Sequence, residues 1–115
     1  MNSSSDLAQE INQLHAEICS ALADPRRILM LYKLADRPWN VGDLAISIGI
    51  SQSATSRHLK ILRQRSLVSA TRKGASVEYQ LIDSRLIEAL DLLRAVLYGR
   101  LTHRANLIEE ATNAA

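Results

Sequence analysis

Two helix-capping signals lie only two residues apart. Gly49 is placed to end a helix in a left-handed backbone conformation, and Ser51 is placed to cap the start of the next. A chain that stops one helix and starts another across so short a link must turn sharply. The upstream helix is short, with Asn40 as its cap and Val41, Leu44, Ala45 and Ile48 on its apolar side. The downstream helix covers residues 51–64, with Leu59 and Leu62, joined by Ala54 or Thr55, as its inward face. Short helix, tight glycine turn and second capped helix make a helix-turn-helix.

The flanking sequence extends this motif on both sides. Leu7, Ile11, Leu14 and Ile18 recur at steps of four and three, one stripe on a first helix that Asp6 is placed to cap. Asp24-Pro25 starts a second helix, which should stop near Asp36-Arg37-Pro38. From Leu67 the pattern turns β-like. Val77, Tyr79 and Leu81 alternate with Glu78 and Gln80, and Lys73-Gly74 sits at a tip, which predicts a hairpin over 68–81. Asp83 or Ser84 caps a last long helix carrying Leu86, Ile87, Leu90, Leu93, Val96, Leu97, Leu101 and Ile108, weakened or bent at Gly99. The expected fold class is mainly α with a small β-hairpin: four helices, a two-stranded wing and a terminal helix. That is a winged helix-turn-helix, expected as a single domain over residues 1–115 with Met1–Ser4 and Thr112–Ala115 frayed.

Charge adds a partner to this fold. Residues 51–76 carry six cations, Arg57, Lys60, Arg63, Arg65, Arg72 and Lys73, and no anion. The rest of the chain holds eight Lys/Arg against all twelve Asp/Glu, a net of minus four. The overall charge of +2 would not by itself indicate a polyanionic partner; its segregation does. Each backbone phosphate neutralised by such a face releases condensed counterions, so double-stranded DNA is the expected partner. An α-helix fits the major groove, where its N-terminal residues reach base edges. Gln52, Ser53, Ser56 and Arg57 are the candidates for that role, Gln suiting adenine and Arg guanine. Lys60, Arg63 and Arg65 suit phosphates, and Ser51 with the free amides behind it suits another. Arg72 and Lys73 at the wing tip suit an adjacent minor groove or its phosphates. His58 has two positions open to it, on a phosphate or packed beneath the helix.

Other classes lose ground on the same residues. There is no Gly-rich phosphate loop and no nucleophile beside an oriented base, so no enzymatic activity and no cofactor are expected. No apolar run approaches the ~20 residues that span a bilayer, and no signal peptide is visible. Cys19 is the only cysteine, which fits a reducing cytoplasm. The alternative to DNA is a winged-helix protein-interaction module that sets its basic face on an acidic partner.

Residues 19–83 resemble the ArsR/SmtB type of bacterial repressor. Ala21-Leu22-Ala23-Asp24-Pro25-Arg26-Arg27-Ile28-Leu29 is similar to that family's second helix, and Val41-Gly42-Asp43-Leu44-Ala45 to its third. The run from Ser51 through Arg57-His58-Leu59-Lys60 to Leu62 resembles its recognition helix. Leu67-Val68, Arg72-Lys73-Gly74 and Tyr79-Gln80-Leu81 resemble its wing. The resemblance implies a homodimer joined through the first and last helices, here about residues 6–20 and 84–110. It also implies repression from an inverted-repeat operator, often the regulator's own. Ser51, Gln52, Ser53, Ser56, Arg57 and His58 correspond to the operator-contacting stretch.

Three departures matter. Ser66 stands where the family usually has a turn glycine, and Arg26 replaces a common small polar residue. The metal-sensing ligand sets are missing: Trp39-Asn40-Val41-Gly42-Asp43 lacks the Cys-x-Cys pair, and Asp91 is followed by Leu92 and Leu93, with only His103 beyond. No metal site is therefore expected, and the effector is unassigned. Cys19 is a candidate thiol sensor, alone or four residues from His15 as a shared ligand pair, against the plainer reading of a small thiol near a helix end. His103 with Glu110 is a weaker metal candidate. Trp39 either lines an effector cleft or seals a gap between helices.

Overall fold

A computed structural model describes residues 3–114, with side chains from Asp6 onward; Met1, Asn2 and Ala115, all within the ends expected to fray, lie outside the described residues. The chain divides into two compact units, one through Asp83 and one from Ser84.

The first unit opens with α1, Ser3–Leu14, which starts before the expected Asp6 cap and leaves Asp6 in its first turn. The expected single helix to residue 20 is instead broken into three geometries. A π-helical turn over His15–Cys19 follows α1, closed by the Ser20 amide donating to the His15 carbonyl at 3.0 Å, and a 3-10 turn covers Ala21–Ala23. The Ser20 hydroxyl donates back to the Ala16 carbonyl, a competing local bond that favours such distortion. Helix α2, Pro25–Asp36, begins as expected: Asp24 caps it by accepting from the Arg26 amide at 2.8 Å, and Pro25 occupies the first helical position.

Strand β1, Trp39–Asn40, is a difference from the expected two-stranded wing. It pairs antiparallel with β3, Ser76–Leu81, which also pairs with β2, Val68–Lys73. The sheet order is β1-β3-β2, so β3 is central and Tyr79 lies opposite both Trp39 and Ala70. Two residues are too few to show a period-two pattern, which is why β1 is invisible in the sequence.

Helix α3, Val41–Ile48, is capped by Asn40, whose side chain accepts from the Asp43 amide at 2.8 Å. Gly49 follows at φ 82, and its amide and that of Ile50 both donate to the Ala45 carbonyl. Helix α4, Gln52–Gln64, starts at the Ser51 cap, which accepts from the Ala54 amide at 3.1 Å. Its buried face is Thr55, Leu59 and Leu62, all fully covered; Ala54 is only half-buried. The buried Thr55 hydroxyl is satisfied by the Ser51 carbonyl at 2.9 Å. Met30, Leu31, Leu34, Leu44, Ala45 and Val68 complete this core.

The second unit is α5, Arg85–Ala114, a helix that runs unbroken through Gly99. Leu92, Leu93, Val96, Leu97, Leu101 and Ile108 on it are exposed, as are Leu7, Ile11 and Leu14 on α1.

The turn after α4 carries the family departure. Ser66 sits at φ 59, where a Cβ is disfavoured. The Leu67 amide donates to the Leu62 carbonyl and the Ser66 amide to the Arg63 carbonyl, the paired bonds of a Schellman ending, with Leu62 and Leu67 both buried. Ser66→Gly is expected to raise stability by about 0.5–1 kcal/mol, the relieved left-handed strain less the added freedom of the unfolded chain. Urea unfolding checks this as a higher midpoint at unchanged slope.

Candidate nucleic-acid interface

The solvent side of α4 follows from its buried side. With Thr55, Leu59 and Leu62 inward, Ser53, Ser56, Arg57, Lys60 and Arg63 fall on the opposite face, and all five are exposed. The same five line an open concavity of about 460 Å³, and strand β3 supplies its other wall through Tyr79. Gln52 is exposed at the helix start and lines a neighbouring concavity with Asn40, Val41, Gly42, Ser76, Val77 and, again, Tyr79. Ser51 is spent on the cap, and its hydroxyl also lies 3.3 Å from that of Ser53.

The cations on this face are uncommitted. Among the described residues, the side chains of Arg57, Lys60 and Arg63 make no hydrogen bond or salt bridge. Three arginines elsewhere are engaged: Arg26 with Asp24, Arg27 with the Ala21 carbonyl, and Arg37 over the Trp39 ring at 3.5 Å. Arg72 and Lys73 end β2 beside a two-residue turn of Gly74 and Ala75, outside both concavities. Both are exposed, and Arg72 Nε donates to the Gly74 carbonyl at 3.4 Å.

His58 takes the inner of its two positions. It is half-buried, its Nδ1 lies 3.3 Å from Arg27 Nη1, and its Nε2 lies 4.0 Å from Asp24 Oδ2. An arginine only donates, so Nδ1 must accept and the imidazole is neutral, with its proton on Nε2 towards Asp24. Burial lowers the His58 pKa below 6.5; Arg26, Arg27 and Arg57 lower it further, and Asp24 opposes them. The Asp24 carboxyl is held down to about 2, chiefly by hydrogen bonds from the Arg26 side chain and backbone. Arg27 joins His58 to the chain before α2, since its Nε donates to the Ala21 carbonyl at 2.6 Å.

Tyr79 is the wall residue that sequence reasoning missed. Its alternation with Val77 and Leu81 places it on a strand face but not on which side of the sheet α4 lies.

Comparison with known proteins agrees with this geometry. Residues 24–70 match the sequence profile described as bacterial regulatory protein, arsR family. The chain is 41% identical over 83 residues to the HTH-type transcriptional regulator NmtR of Mycobacterium tuberculosis, covering 70% of this chain and 69% of that protein. The chain belongs to the arsR family. Its fold matches the crystal structure of Rv0081 from M. tuberculosis with a TM-score of 0.74 at 33% identity, covering 83% of this chain and 96% of that one. It matches equally, at 0.74 and 26% identity, the homodimeric winged helix-turn-helix DNA-binding domain of Mb0332 from Mycobacterium bovis, covering 90% of this chain and 93% of that one. An arsR-family winged helix-turn-helix is a DNA-binding regulator of transcription, not an enzyme.

Cys19 is exposed at the end of the π-helical turn that His15 begins. No group of three or more His, Cys, Asp or Glu is gathered for a metal among the described residues. Trp39 seals the end of α2, where its indole donates to the Lys33 carbonyl at 2.9 Å. No helix among the described residues is long and apolar enough to cross a membrane.

The neutral His58 makes stability depend on pH. Its folded pKa lies below its unfolded value of about 6.5, so the unfolded chain takes up a proton first as pH falls. The stabilisation is complete above that pH and declines below it. Thermal unfolding from pH 7.5 towards pH 5 is expected to show a falling midpoint, and His58→Gln, which can still accept from Arg27, is expected to flatten that slope.

Proposed function

We propose that this regulator is a homodimeric repressor of the cytoplasm that reads an inverted-repeat operator with α4. The observation that carries this is a helix face of exposed serines, Gln52 and uncommitted cations, set on a buried core that fixes its direction. Gln52, Ser53, Ser56 and Arg57 address base edges in the major groove. Lys60, Arg63, Arg72 and Lys73 take phosphates, as do the Ser51 cap and the amides behind it. His58, packed inward on Asp24 and Arg27, positions the helix rather than touching DNA.

Dimerisation rests on exposed aliphatic side chains. Leu7, Ile11 and Leu14 on α1, and Leu93, Val96, Leu97 and Leu101 on α5, are each about half exposed or more in a single copy. Surfaces of this kind mark association sites. Helices about 6–20 and 84–110 therefore meet a second copy, so that two winged helix-turn-helix units form one assembly. In a twofold dimer the two α4 helices enter successive major grooves roughly 34 Å apart.

Three measurements test the proposal. Footprinting on the DNA upstream of its own coding region should show a protected inverted repeat, with affinity falling steeply as salt rises. Arg57→Ala should cost about 1–3 kcal/mol of specific affinity per half-site, whereas Arg63→Gln should weaken all sequences alike and lower the salt slope by about 0.9 per protomer, about 1.8 for the dimer. Undiminished operator affinity in a Gln52→Ala, Arg57→Ala double variant would remove α4 as the reading surface. Leu97→Glu should yield a monomer by light scattering and lose the operator footprint.

A further inference from the structure

The α4 face presents three cations that no carboxylate answers, and the one group opposite them is a phenol. Tyr79 is half-buried, and it lies on the central strand of the sheet, paired through Trp39 on one side and Ala70 on the other. Its backbone position is therefore fixed by pairing on both edges of β3. Among the described residues its hydroxyl has no hydrogen-bond partner, and the atom is not sealed from solvent, since no buried polar side-chain atom lacks a partner. It forms the far wall of the 460 Å³ concavity that Ser53, Ser56, Arg57, Lys60 and Arg63 line from α4.

A phenol oxygen can accept from a guanidinium or ammonium group, yet no such bond forms here among the described residues, and those cations offer its own proton no acceptor. It is a good donor to an anionic oxygen. A ligand that satisfies both walls must carry negative charge and accept hydrogen bonds from two sides. A phosphodiester does both, and a base edge does not. Its bulk also suits an open notch rather than a closed pocket.

We infer that the notch between α4 and β3 seats a single backbone phosphate of the bound duplex, with the Tyr79 hydroxyl donating from the sheet side and Lys60 and Arg63 from the helix side. This deepens the DNA-binding reading above and rests on it. Tyr79 is thus a DNA-contacting residue of the sheet, distinct from the wing-tip cations. Its role is to fix the register of α4 along the groove, because a contact from a second, rigid element prevents the helix from sliding along its own axis.

Tyr79→Phe tests this, since it removes the hydroxyl and keeps the ring that packs in the sheet. The probe is the footprinted upstream duplex beside a scrambled duplex of the same length. The variant should bind both more weakly by a similar factor, about tenfold or more for each half-site, as expected for one lost hydrogen bond to a charged group. Its salt slope should stay at the wild-type value, because the lost group is uncharged. A scan with single neutral methylphosphonate linkages should find one position per half-site that weakens the wild type and costs Tyr79→Phe measurably less. Equal affinities for wild type and variant, or no position at which the two differ in the scan, would overturn the notch while leaving the operator reading intact. A wild type that binds neither duplex would overturn both. Circular dichroism with an unchanged melting midpoint for Tyr79→Phe separates lost contact from lost fold; a lowered midpoint with unshifted methylphosphonate sensitivity would make Tyr79 structural and end the proposal.

Discussion

Everything the exposed face of α4 presents depends on how that helix is seated. Thr55, Leu59 and Leu62 are wholly covered, and burying each leucine contributes about 1.5–3 kcal/mol. Because these positions recur at four and three residues, covering them sets the rotation of the helix about its axis. The ends are fixed separately. Gly49 and Ser66, both in left-handed conformation, bring the chain in and take it out at sharp angles. The Ser51 cap satisfies the first turn, and the paired bonds to Leu62 and Arg63 close the last. Rotation and both exits being determined, the face carrying Ser53, Ser56, Arg57, Lys60 and Arg63 has one direction only.

Charge is arranged to leave that face available. Asp24 is consumed by Arg26 and by the start of α2, and its low pKa records how completely. Arg27 is spent on the Ala21 carbonyl and His58. The neutral imidazole in turn lets α4 lie against the start of α2 without placing a fourth positive charge beneath the three on its outer face. The outer face of α4 is therefore one-signed, which favours a polyanion, and the imidazole beneath it adds no further charge.

Much of this was legible in the sequence, and what was not has identifiable causes. The caps at Asp24, Asn40 and Ser51 and the stop at Gly49 were readable, because those residue types act through their own short side chains or missing Cβ. So was the hairpin, from strict alternation at Val77, Tyr79 and Leu81. The π-helical turn at His15–Cys19 was not, since a change of helical period over five residues leaves no distinct apolar pattern. Strand β1 was hidden by its brevity. The inward turn of His58 and the placement of Tyr79 across the concavity from α4 depend on which neighbours the fold supplies, Asp24 and Arg27 for one and the α4 cations for the other. No spacing along the chain encodes that.

The third strand changes what the wing is mechanically. Trp39 is tied to the end of α2 through its indole and lies under Arg37, and in the same residue it enters the sheet beside Tyr79. The hairpin is consequently a stiff arm hinged at the corner between α2 and α3, not a loose flap hanging from α4. Any tilt of that corner would sweep the arm's cationic end through an arc, altering the span between Arg72 and Lys73 and the exposed face of α4.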